Sequence, residues 1–389
     1  MTDTISALLD ALSMAFGMFW EILWALIVGF SVSAAVQAVV SKSEMASLLP
    51  NDSFATCAKA SGLGAASSSC SYASVAIARS IFRKGGDFTA AMVFEFASTN
   101  LVFELGIILV ILMGWQFAAA EFIGGPLMIV ALVLLFRLFL KKKMVDKARD
   151  QAERGLAGKM EGHADMDMSV TEGSLGRRLT SSKGFTAISH YFVMDWMSIW
   201  KDIVLGLLIA GALAAWVPRG FWEAFFLTGD PLLSKLWGPL VGPLVAIVSF
   251  VCSIGNVPLA AVLWNGGISF GGVVAFIYAD LIVLPILNIY RKYYGIKMAA
   301  FLFVTFFAAM ATAAYAIEVL FAVTGLIPET HEARVVEASV EWNYTTILNI
   351  VFLFLAGLLL VRFFRTGGVD LLRMMDKPSE AGGASAHEH

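Results

Sequence analysis

The sequence predicts an all-α polytopic membrane protein made of two repeated halves. Hydrophobic residues make up 59% of the 389 positions and charged residues only 15%. A soluble chain of this length could not cover its surface with so little charge. Several apolar runs exceed the roughly 18 residues needed to cross a bilayer. Because Gly, Pro and hydroxyl residues interrupt some runs, we expect about nine or ten membrane segments with interrupted helices.

The repeat is visible as two stretches that align without a gap, 182 positions apart. Residues 70–105 match residues 252–287 at nine of 36 positions, and both stretches begin with Cys-Ser. Internal repeats in a membrane protein are typical of transporters whose site lies where the two halves meet. The sequence therefore favours a transport function.

The membrane segments follow from the apolar runs, and the charges between them set the orientation. Basic residues cluster in the turns after the second, fourth, seventh and ninth segments, whereas the loop 325–341 is acidic. The basic turns and the C-terminus then face the cytoplasm, and the acidic loop faces outward. The predicted segments lie at roughly 18–40, 55–82, 88–114, 116–140, 203–218, 240–264, 269–290, 298–324 and 343–364.

This orientation requires one more crossing between the halves. The fourth segment ends inside and the sixth must start inside, yet only the segment at 203–218 separates them. Either residues 184–218 contain two crossings with a break near 200–202, or residues 219–239 dip into the membrane and return. We favour the first, since both halves then open on a similar Trp-containing stretch. With the extra crossing, the second half is inverted relative to the first.

The chain divides by composition into four parts. A polar, mixed-charge connector separates the membrane halves, and a low-complexity tail without apolar periodicity is expected to be disordered. The parts are a first membrane half at 1–141, a cytoplasmic connector at 142–184, a second membrane half at 185–366 and a cytoplasmic tail at 367–389.

Interrupted segments occur at corresponding places in the two halves. Small and hydroxyl residues fill residues 60–71, and Gly and Pro recur between 238 and 258. Such paired interruptions point to a substrate site, although close helix packing without a ligand explains small residues equally well. The candidate substrate-binding residues are Ser68, Cys70, Ser71, Cys252, Ser253 and Asn256.

The two equivalent cysteines raise the question of a thiophilic substrate. An inverted two-fold relation would bring Cys70 and Cys252 toward the membrane midplane. Thiolates bind soft ligands, but a buried cysteine is more often a small hydrophobic residue. The three cysteines do not form a disulfide framework.

Acidic residues inside the predicted segments are the second cluster. An intramembrane carboxylate is costly, so it normally faces a cavity or a partner and serves ions or protons. Glu95 has an alternative interpretation as a salt-bridge partner of Arg79 or Arg83. The candidates for proton or ion coupling are Glu95, Asn100, Glu104 and Asp280, with Glu104 and Asp280 preferred.

No motif of a soluble enzyme is present in the sequence. There is no phosphate-binding loop, and Gly266-Gly267 follows no strand pattern that would make it a dinucleotide fingerprint. The histidines are isolated, and the net charge of −3 argues against nucleic acid. We therefore expect no enzyme activity, no cofactor and no metal site.

At its Cys-Ser motifs the chain resembles the predicted permease family that includes the organoarsenical (ArsP-type) efflux permeases. The second copy carries the closer match, Val251–Pro258 (VCSIGNVP) and then Gly266–Ser269 (GGIS). The first copy, from Cys70-Ser71 to Ala97–Asn100 (ASTN), is a looser match. The resemblance implies a multi-pass permease of a bacterial inner membrane with two repeated halves.

The chain departs from the family pattern in the first copy. Members that resemble the arsenical exporters have Pro-Phe-Cys-Ser-Cys-Ser there, whereas this chain has Ser67-Ser68-Ser69-Cys70-Ser71. Ser68 replaces the first cysteine of the pair. A dithiol clamp for a trivalent arsenical is therefore missing in its family form.

We expect a permease that moves a small molecule or ion by alternating access between the two repeats, with proton coupling through Glu104 or Asp280. The alternatives are a passive channel, which would conduct without the gradient of a second ion, and a membrane-embedded thiol or redox protein. The expected partners are the substrate and the lipid bilayer. The substrate, the direction of transport and the oligomeric state, including a homo-oligomer, stay open.

Overall fold

The computed structural model describes a helical membrane protein. Within the described part of the chain it has no strand, which confirms the all-α prediction. The described residues are 2–39, 44, 47–67, 71–153, 168–170, 172–249, 253–333 and 344–375.

Seventeen α-helices and one 3-10 helix, Ala279–Ile282, occupy these residues. In chain order the α-helices are α1 (Thr2–Val39), α2 (Phe54–Ser67), α3 (Ser71–Arg83), α4 (Phe88–Asn100), α5 (Phe103–Leu112), α6 (Trp115–Phe139), α7 (Lys142–Glu153), α8 (Leu175–Thr180), α9 (Ser182–Trp216), α10 (Arg219–Phe225), α11 (Pro231–Ser249), α12 (Ser253–Asn265), α13 (Phe270–Tyr278), α14 (Leu284–Tyr294), α15 (Ile296–Thr324), α16 (Tyr344–Arg365) and α17 (Gly368–Met375).

Several helices are long and apolar enough to cross a membrane, which confirms the multi-pass prediction. One span combines α4 and α5, and a further one combines α13, the 3-10 helix and α14 with a bend of 40°. The five spans found without a strong bend, in the described part of the chain, are Ile22–Val39, Phe88–Leu112, Trp115–Phe139, Ile296–Thr324 and Thr345–Arg365.

The segment predicted at 55–82 is not a single crossing. It consists of α2 and α3, and the N–H of Asp87, just after α3, donates to the carbonyl of Leu49, just before α2, at 2.8 Å. The chain therefore enters α2 and leaves α3 at the same place. We call α2 and α3 hairpin 1. Its ends at Ser67 and Ser71 flank a tip, residues 68–70, that lies outside the described residues.

The segment predicted at 240–264 has the same construction. It consists of α11 and α12, which we call hairpin 2, with a tip at 250–252 outside the described residues. The turn after α12 lies against the residues before α11: Gly266 is next to Trp222, and Gly267 is next to Thr228. Hydropathy shows that a run is apolar but not whether it crosses the membrane or turns back. The prediction that each hairpin is a single crossing was therefore wrong.

The open ends of the two hairpins, here called their mouths, lie at opposite ends of α6. Near the end of α6, Arg137 Nε forms a salt bridge of 2.9 Å with Asp52, just before hairpin 1. Near the start of α6, the ring of Phe117 packs on Trp264 at the end of hairpin 2, with 5.1 Å between centroids. A helix of this length spans roughly 37 Å. The hairpins therefore enter the fold from opposite sides.

The predicted break near residues 200–202 is wrong, because α9 continues through it. The sequence of α9 contains no proline, and Lys and Asp do not interrupt a helical backbone. Residues 219–239 instead hold α10 and the start of hairpin 2. The second alternative, a dip into the membrane and return at 219–239, stays a prediction.

The long helices α1 and α9 pack against each other in opposite directions. Gly211 near the end of α9 lies against Ala15 near the start of α1. Phe30 further along α1 meets Trp196, earlier in α9, with 5.1 Å between ring centroids. This antiparallel pair forms one wall beside the hairpins.

The helix bounds of the second half follow those of the first at an offset of 182 residues. Helix α12 begins and ends 182 positions after α3, and α13 begins 182 positions after α4. The turns before α4 and α13 also correspond, since Gly85 and Gly267 both have positive φ, 98° and 94°. Asp87 and Ser269 then cap the following helices through their side chains. Glycine suits this backbone because a Cβ would be strained there.

The connector begins with a packed helix rather than a solvated one. In α7, Ala148 and Ala152 are buried. Arg149 donates to the carbonyls of Phe82 and Gly86 at the mouth of hairpin 1, and Gln151 donates to Lys292 O at the end of α14, at 3.1 Å. Helix α7 thus contacts both halves of the protein.

The first part of the tail is helical, although the tail was predicted to be disordered. Helix α17 occupies Gly368–Met375, directly after α16. Residues 376–389 lie outside the described residues.

Gly64 should not tolerate a methyl group. A Cβ there would lie 2.4 Å from the carbonyl oxygen of Phe94, because α2 packs closely on α4. We expect Gly64→Ala to destabilise the protein by about 1–3 kcal/mol in detergent unfolding. Gly62→Ala is the matched control, since nothing lies near its Cβ position, and it should be neutral or stabilising by up to about 1 kcal/mol. Equal effects would contradict the close packing.

Asp87 should make the start of α4 sensitive to pH. Burial raises the pKa of Asp87, opposed in part by the hydrogen bond from Ala90 N. The folded state then holds its proton more tightly than the unfolded chain, so this group's stabilisation is lost as pH rises above its ordinary pKa. Asp87→Asn keeps the cap without titrating, and its stability relative to wild type should increase between pH 4 and pH 7.

The check is thermal unfolding at several pH values. Asp87→Ala serves as a second variant, and it should lose about 1 kcal/mol with the cap. A difference between wild type and Asp87→Asn that does not change with pH would show that the prediction is wrong.

Candidate functional site

A hydrogen bond joins the two halves inside the fold. Ser71 Oγ, at the start of α3, donates to Asp280 Oδ2 at 2.6 Å, although the residues are 209 positions apart. Both side chains are buried, with 1% and 0% of their surface exposed. The structure therefore brings together one residue predicted to bind substrate and one predicted to couple transport to an ion.

Asp280 lies where the second half interrupts a span. The α-helical geometry of α13 gives way to the 3-10 helix, and α14 begins after Val283 with Pro285 in its first turn. Proline fits the first turn of a helix but cannot continue the hydrogen bonding of a preceding one. The sequence thus places the interruption next to the tip of hairpin 1.

Two further carboxylates lie near Asp280. Glu95 on α4 and Glu121 on α6 are both buried and within electrostatic range of Asp280. Tyr290 on α14 donates a hydrogen bond to Glu95 Oε1. Neither carboxyl oxygen of Glu121 has a hydrogen-bond partner in the structure that is described. We call Glu95, Glu121 and Asp280 the central carboxylates.

Arg79, the proposed salt-bridge partner of Glu95, has other contacts. Its guanidinium donates to the carbonyl of Ala152 at 2.8 Å and lies over the ring of Tyr293, 4.2 Å from the centroid. Glu95 instead accepts a hydrogen bond from the hydroxyl of Tyr290. The structure therefore places Arg79 at α7, near the mouth of hairpin 1.

Two buried amides lie near the interruptions with unused hydrogen-bonding atoms. Asn256 on α12 is fully buried, and neither its Nδ2 nor its Oδ1 has a partner within the described residues. Asn100 ends α4, where the first half interrupts its span, and donates to Phe96 O and Thr99 Oγ1 while its own Oδ1 accepts nothing. Buried polar atoms are normally paired, so such atoms can receive a ligand.

A second polar group flanks hairpin 1 on its other side. Ser33 on α1 donates to the carbonyl of Ser67, the last described residue before the tip, at 2.6 Å. Gln37, one turn further, donates to Asp195 on α9 at 3.1 Å. Hairpin 1 is therefore hydrogen-bonded to the α1–α9 wall at Ser67 and to Asp280 at Ser71.

Glu104 belongs to this second group and not to the central carboxylates. Glu104 lies at the start of α5, directly after the interruption. It packs against Gly29 of α1, where an added Cβ would lie 2.6 Å from the Cβ of Glu104. The negative charge of Asp195 interacts electrostatically with the carboxyl group of Glu104. The two preferred coupling candidates, Glu104 and Asp280, therefore lie in different clusters.

Sequence reasoning missed several polar residues of these clusters. Glu121 is the single acid of α6, and Asp195 lies in an apolar stretch of α9; a charge in such a setting was the signal that could have identified both. Ser33 and Gln37 are four residues apart, so they share one face of α1. These residues draw attention only once their neighbours in space are known.

The remaining predicted substrate residues are only partly described. Ser68, Cys70 and Cys252 lie outside the described residues, and Ser253 begins α12 with its backbone alone described. Cys57 lies on α2 close to the mouth of hairpin 1, where its Sγ contacts Asp52 O at 3.7 Å. In the described ranges no group of three or more His, Cys, Asp or Glu side chains could hold a metal ion.

Comparisons with known proteins agree with the predicted resemblance. The family model ArsP_1, described as a predicted permease, matches residues 7–319. A protein of Mycobacterium tuberculosis (strain ATCC 25618 / H37Rv) named as a permease, Rv2963, is 62% identical over 352 residues, which cover 90% of this chain and 86% of the relative. No solved structure matches the chain.

Removing the hydroxyl of Ser71 should weaken the contact between the halves. Ser71→Ala leaves Asp280 without this donor in a buried site, and we expect a loss of about 1–3 kcal/mol. Ser61→Ala is the control, because Ser61 Oγ bonds to Cys57 O within its own helix on a partly exposed face. Unfolding in detergent measures both variants. A Ser71→Ala protein as stable as Ser61→Ala would count against the bond.

Proposed function

Because the chain belongs to the ArsP_1 family of predicted permeases, we propose that it is a secondary permease and not an enzyme. It moves a small molecule or ion by alternating access at the interface of its two halves. The observation that supports this most directly is the buried Ser71–Asp280 hydrogen bond at 2.6 Å. It joins the end of one hairpin to the interrupted span of the other half, the place where transporters bind their substrates.

The two halves are inverted repeats in this proposal. Three observations support the relation: the 182-residue offset of helix bounds, the matching turns at Gly85 and Gly267, and the hairpin mouths at opposite ends of α6. Hairpins that enter and return add no crossing, so the basic turns all face one side without an extra segment. That side is the cytoplasm of a bacterial inner membrane, and α16 returns the C-terminus to it.

The substrate binds between the hairpin tips and the interrupted spans. This region takes in the predicted substrate-binding residues Ser68, Cys70, Ser71, Cys252, Ser253 and Asn256. The free amide atoms of Asn256 support a polar ligand, and the cysteines in the two tips suit a thiophilic one. Since Ser68 replaces a cysteine of the family motif, an arsenical dithiol clamp is not part of this proposal.

Ion coupling depends on the central carboxylates. Asp280 contacts hairpin 1 through Ser71, so a change in the charge of Asp280 changes the hydrogen bond that holds the hairpin. Glu95 is tied to the same span through Tyr290. Asn100 lies at the matching interruption of the first half, and Glu104 contacts α1. A proton that binds at Asp280 can thereby alter the position of a substrate-binding tip.

Asp280→Asn should abolish coupled transport. The amide keeps the size of the side chain but cannot exchange a proton, so we expect at least a tenfold loss of pH-dependent flux. A deletion strain screened against metalloids, thiol-reactive toxins and small sulfur compounds first identifies a transported compound. Flux of that compound is then measured in proteoliposomes with and without a pH gradient.

Asp230→Asn is the matched control for this experiment, because Asp230 is exposed and caps the start of α11. It should transport like wild type. Undiminished, pH-dependent flux in Asp280→Asn would overturn the coupling role. Conduction that needs no gradient of a second ion would instead support a channel.

A further inference from the structure

A cavity of about 700 Å³ lies at the mouth of hairpin 2. Residues of α10, the start of α11, the turn from α12 to α13, the end of α15 and the loop after it line this cavity. The proposed substrate-binding residues are not among them. Helix α11 begins at the cavity and runs toward the tip of hairpin 2, and its 19 residues span roughly 28 Å. The cavity is therefore separate from the proposed transport site, and its volume is that of a small-molecule site.

Side chains of hairpin 2 fix the loop that forms one wall of the cavity. Asn265, at the end of α12, donates from Nδ2 to the carbonyl of Ala333 at 3.1 Å, and its Oδ1 accepts from Ala333 N at 2.7 Å. The neighbouring ring of Trp264 stacks on His331 of the same loop, with 4.0 Å between centroids. This wall is therefore preformed, as the walls of small-molecule sites usually are.

Aromatic side chains form an apolar part of the lining. Trp264, Phe270 and Phe321 line the cavity. The ring of Phe270 packs between the other two, at 6.3 Å from Trp264 and 5.1 Å from Phe321. Ile327 and Pro328 of the loop extend this surface. Such a surface favours a ligand with an apolar body, because binding removes apolar area from water.

The charges of the lining are mostly negative. Among the described residues that line the cavity, the acids are Glu223, Glu318 and Glu329, and the one lysine is Lys235. His331 also lines it, but burial lowers the pKa of His331 below its ordinary value of 6.5, so this imidazole is neutral at pH 7. A cleft lined mainly by one sign of charge attracts ligands of the opposite sign. The lining therefore favours a cation over an anion.

Glu318 is the acid best placed to bind the charge of a ligand. It lies near the end of α15 with 5% of its surface exposed. Gly271 N, in the first turn of α13, donates to its Oε2 at 2.5 Å and so fixes the carboxyl group at the cavity. Water screens a buried charge less than an exposed one. Glu223 and Glu329 are exposed, so we expect them to contribute less.

We propose that the mouth of hairpin 2 binds an organic cation with an apolar body. The apolar part packs against the aromatic wall, and the positive charge lies beside Glu318. This site does not depend on the proposed transport function, since it lies at the other end of hairpin 2 from the tip. In the orientation proposed above, this mouth faces outward, so the ligand reaches it from outside the cell.

Equilibrium dialysis of the full-length protein in lipid nanodiscs tests this with benzyltrimethylammonium as the probe. Benzylsulfonate is the matched anion, and empty nanodiscs correct for uptake by the lipid. Wild type should bind the ammonium ion saturably and the sulfonate not at all. Glu318→Gln should weaken binding about fivefold or more, because the amide oxygen can still accept from Gly271 N but carries no charge.

Two further variants test the role of charge. Lys235→Gln removes a positive charge from the lining and should tighten binding of the ammonium ion. Glu332→Gln is the matched control, because Glu332 is an exposed acid of the same loop that does not line the cavity, and binding should stay at the wild-type level.

Several outcomes would overturn the proposal. These are equal binding of the ammonium ion and the sulfonate, no saturable binding by wild type up to about 10 mM, and equal affinities of Glu318→Gln and Glu332→Gln. If Glu318→Gln aggregates on size exclusion, Glu223→Gln replaces it, because Glu223 is exposed and its substitution should leave the fold intact. Glu223→Gln should weaken binding about twofold. Wild-type affinity in both Glu223→Gln and Lys235→Gln would then contradict the proposal.

Discussion

Inside a bilayer every backbone polar group has to find a partner within the protein, and this constraint determines where the helices of this fold can stop. At the end of α2, another helix supplies such a partner. The last carbonyls of a helix have no partner within it, and Ser33 of α1 donates to the carbonyl of Ser67, the last residue of α2. A hydroxyl residue on α1 thus meets a backbone requirement of hairpin 1.

The polar groups of the interior are distributed according to this constraint. The central carboxylates and the second group around Asp195 lie on either side of hairpin 1, and each contacts one end of its tip. Hairpin 1 is thus hydrogen-bonded to the α1–α9 pair through Ser67 and to the interrupted span at α13–α14 through Ser71.

Much of this fold could be predicted from the sequence, because the length and apolarity of a span are local properties. The long spans, the matched interruptions and the roles of Ser71 and Asp280 as interior polar residues all followed from local patterns. The hairpins did not, since hydropathy cannot show that α2 and α3 return to Leu49. Nor could the sequence show that Glu104 packs on Gly29 of α1. These contacts depend on which helices become neighbours.

The contacts of α7 connect hairpin 1 to α14. Arg149 donates a hydrogen bond to a carbonyl at the mouth of hairpin 1, and Gln151 donates one to a carbonyl at the end of α14. Because α7 contacts both elements, hairpin 1 cannot move relative to α14 unless α7 moves with it or one of these contacts breaks. A ligand that bound this short helix would therefore act on both contacts at once.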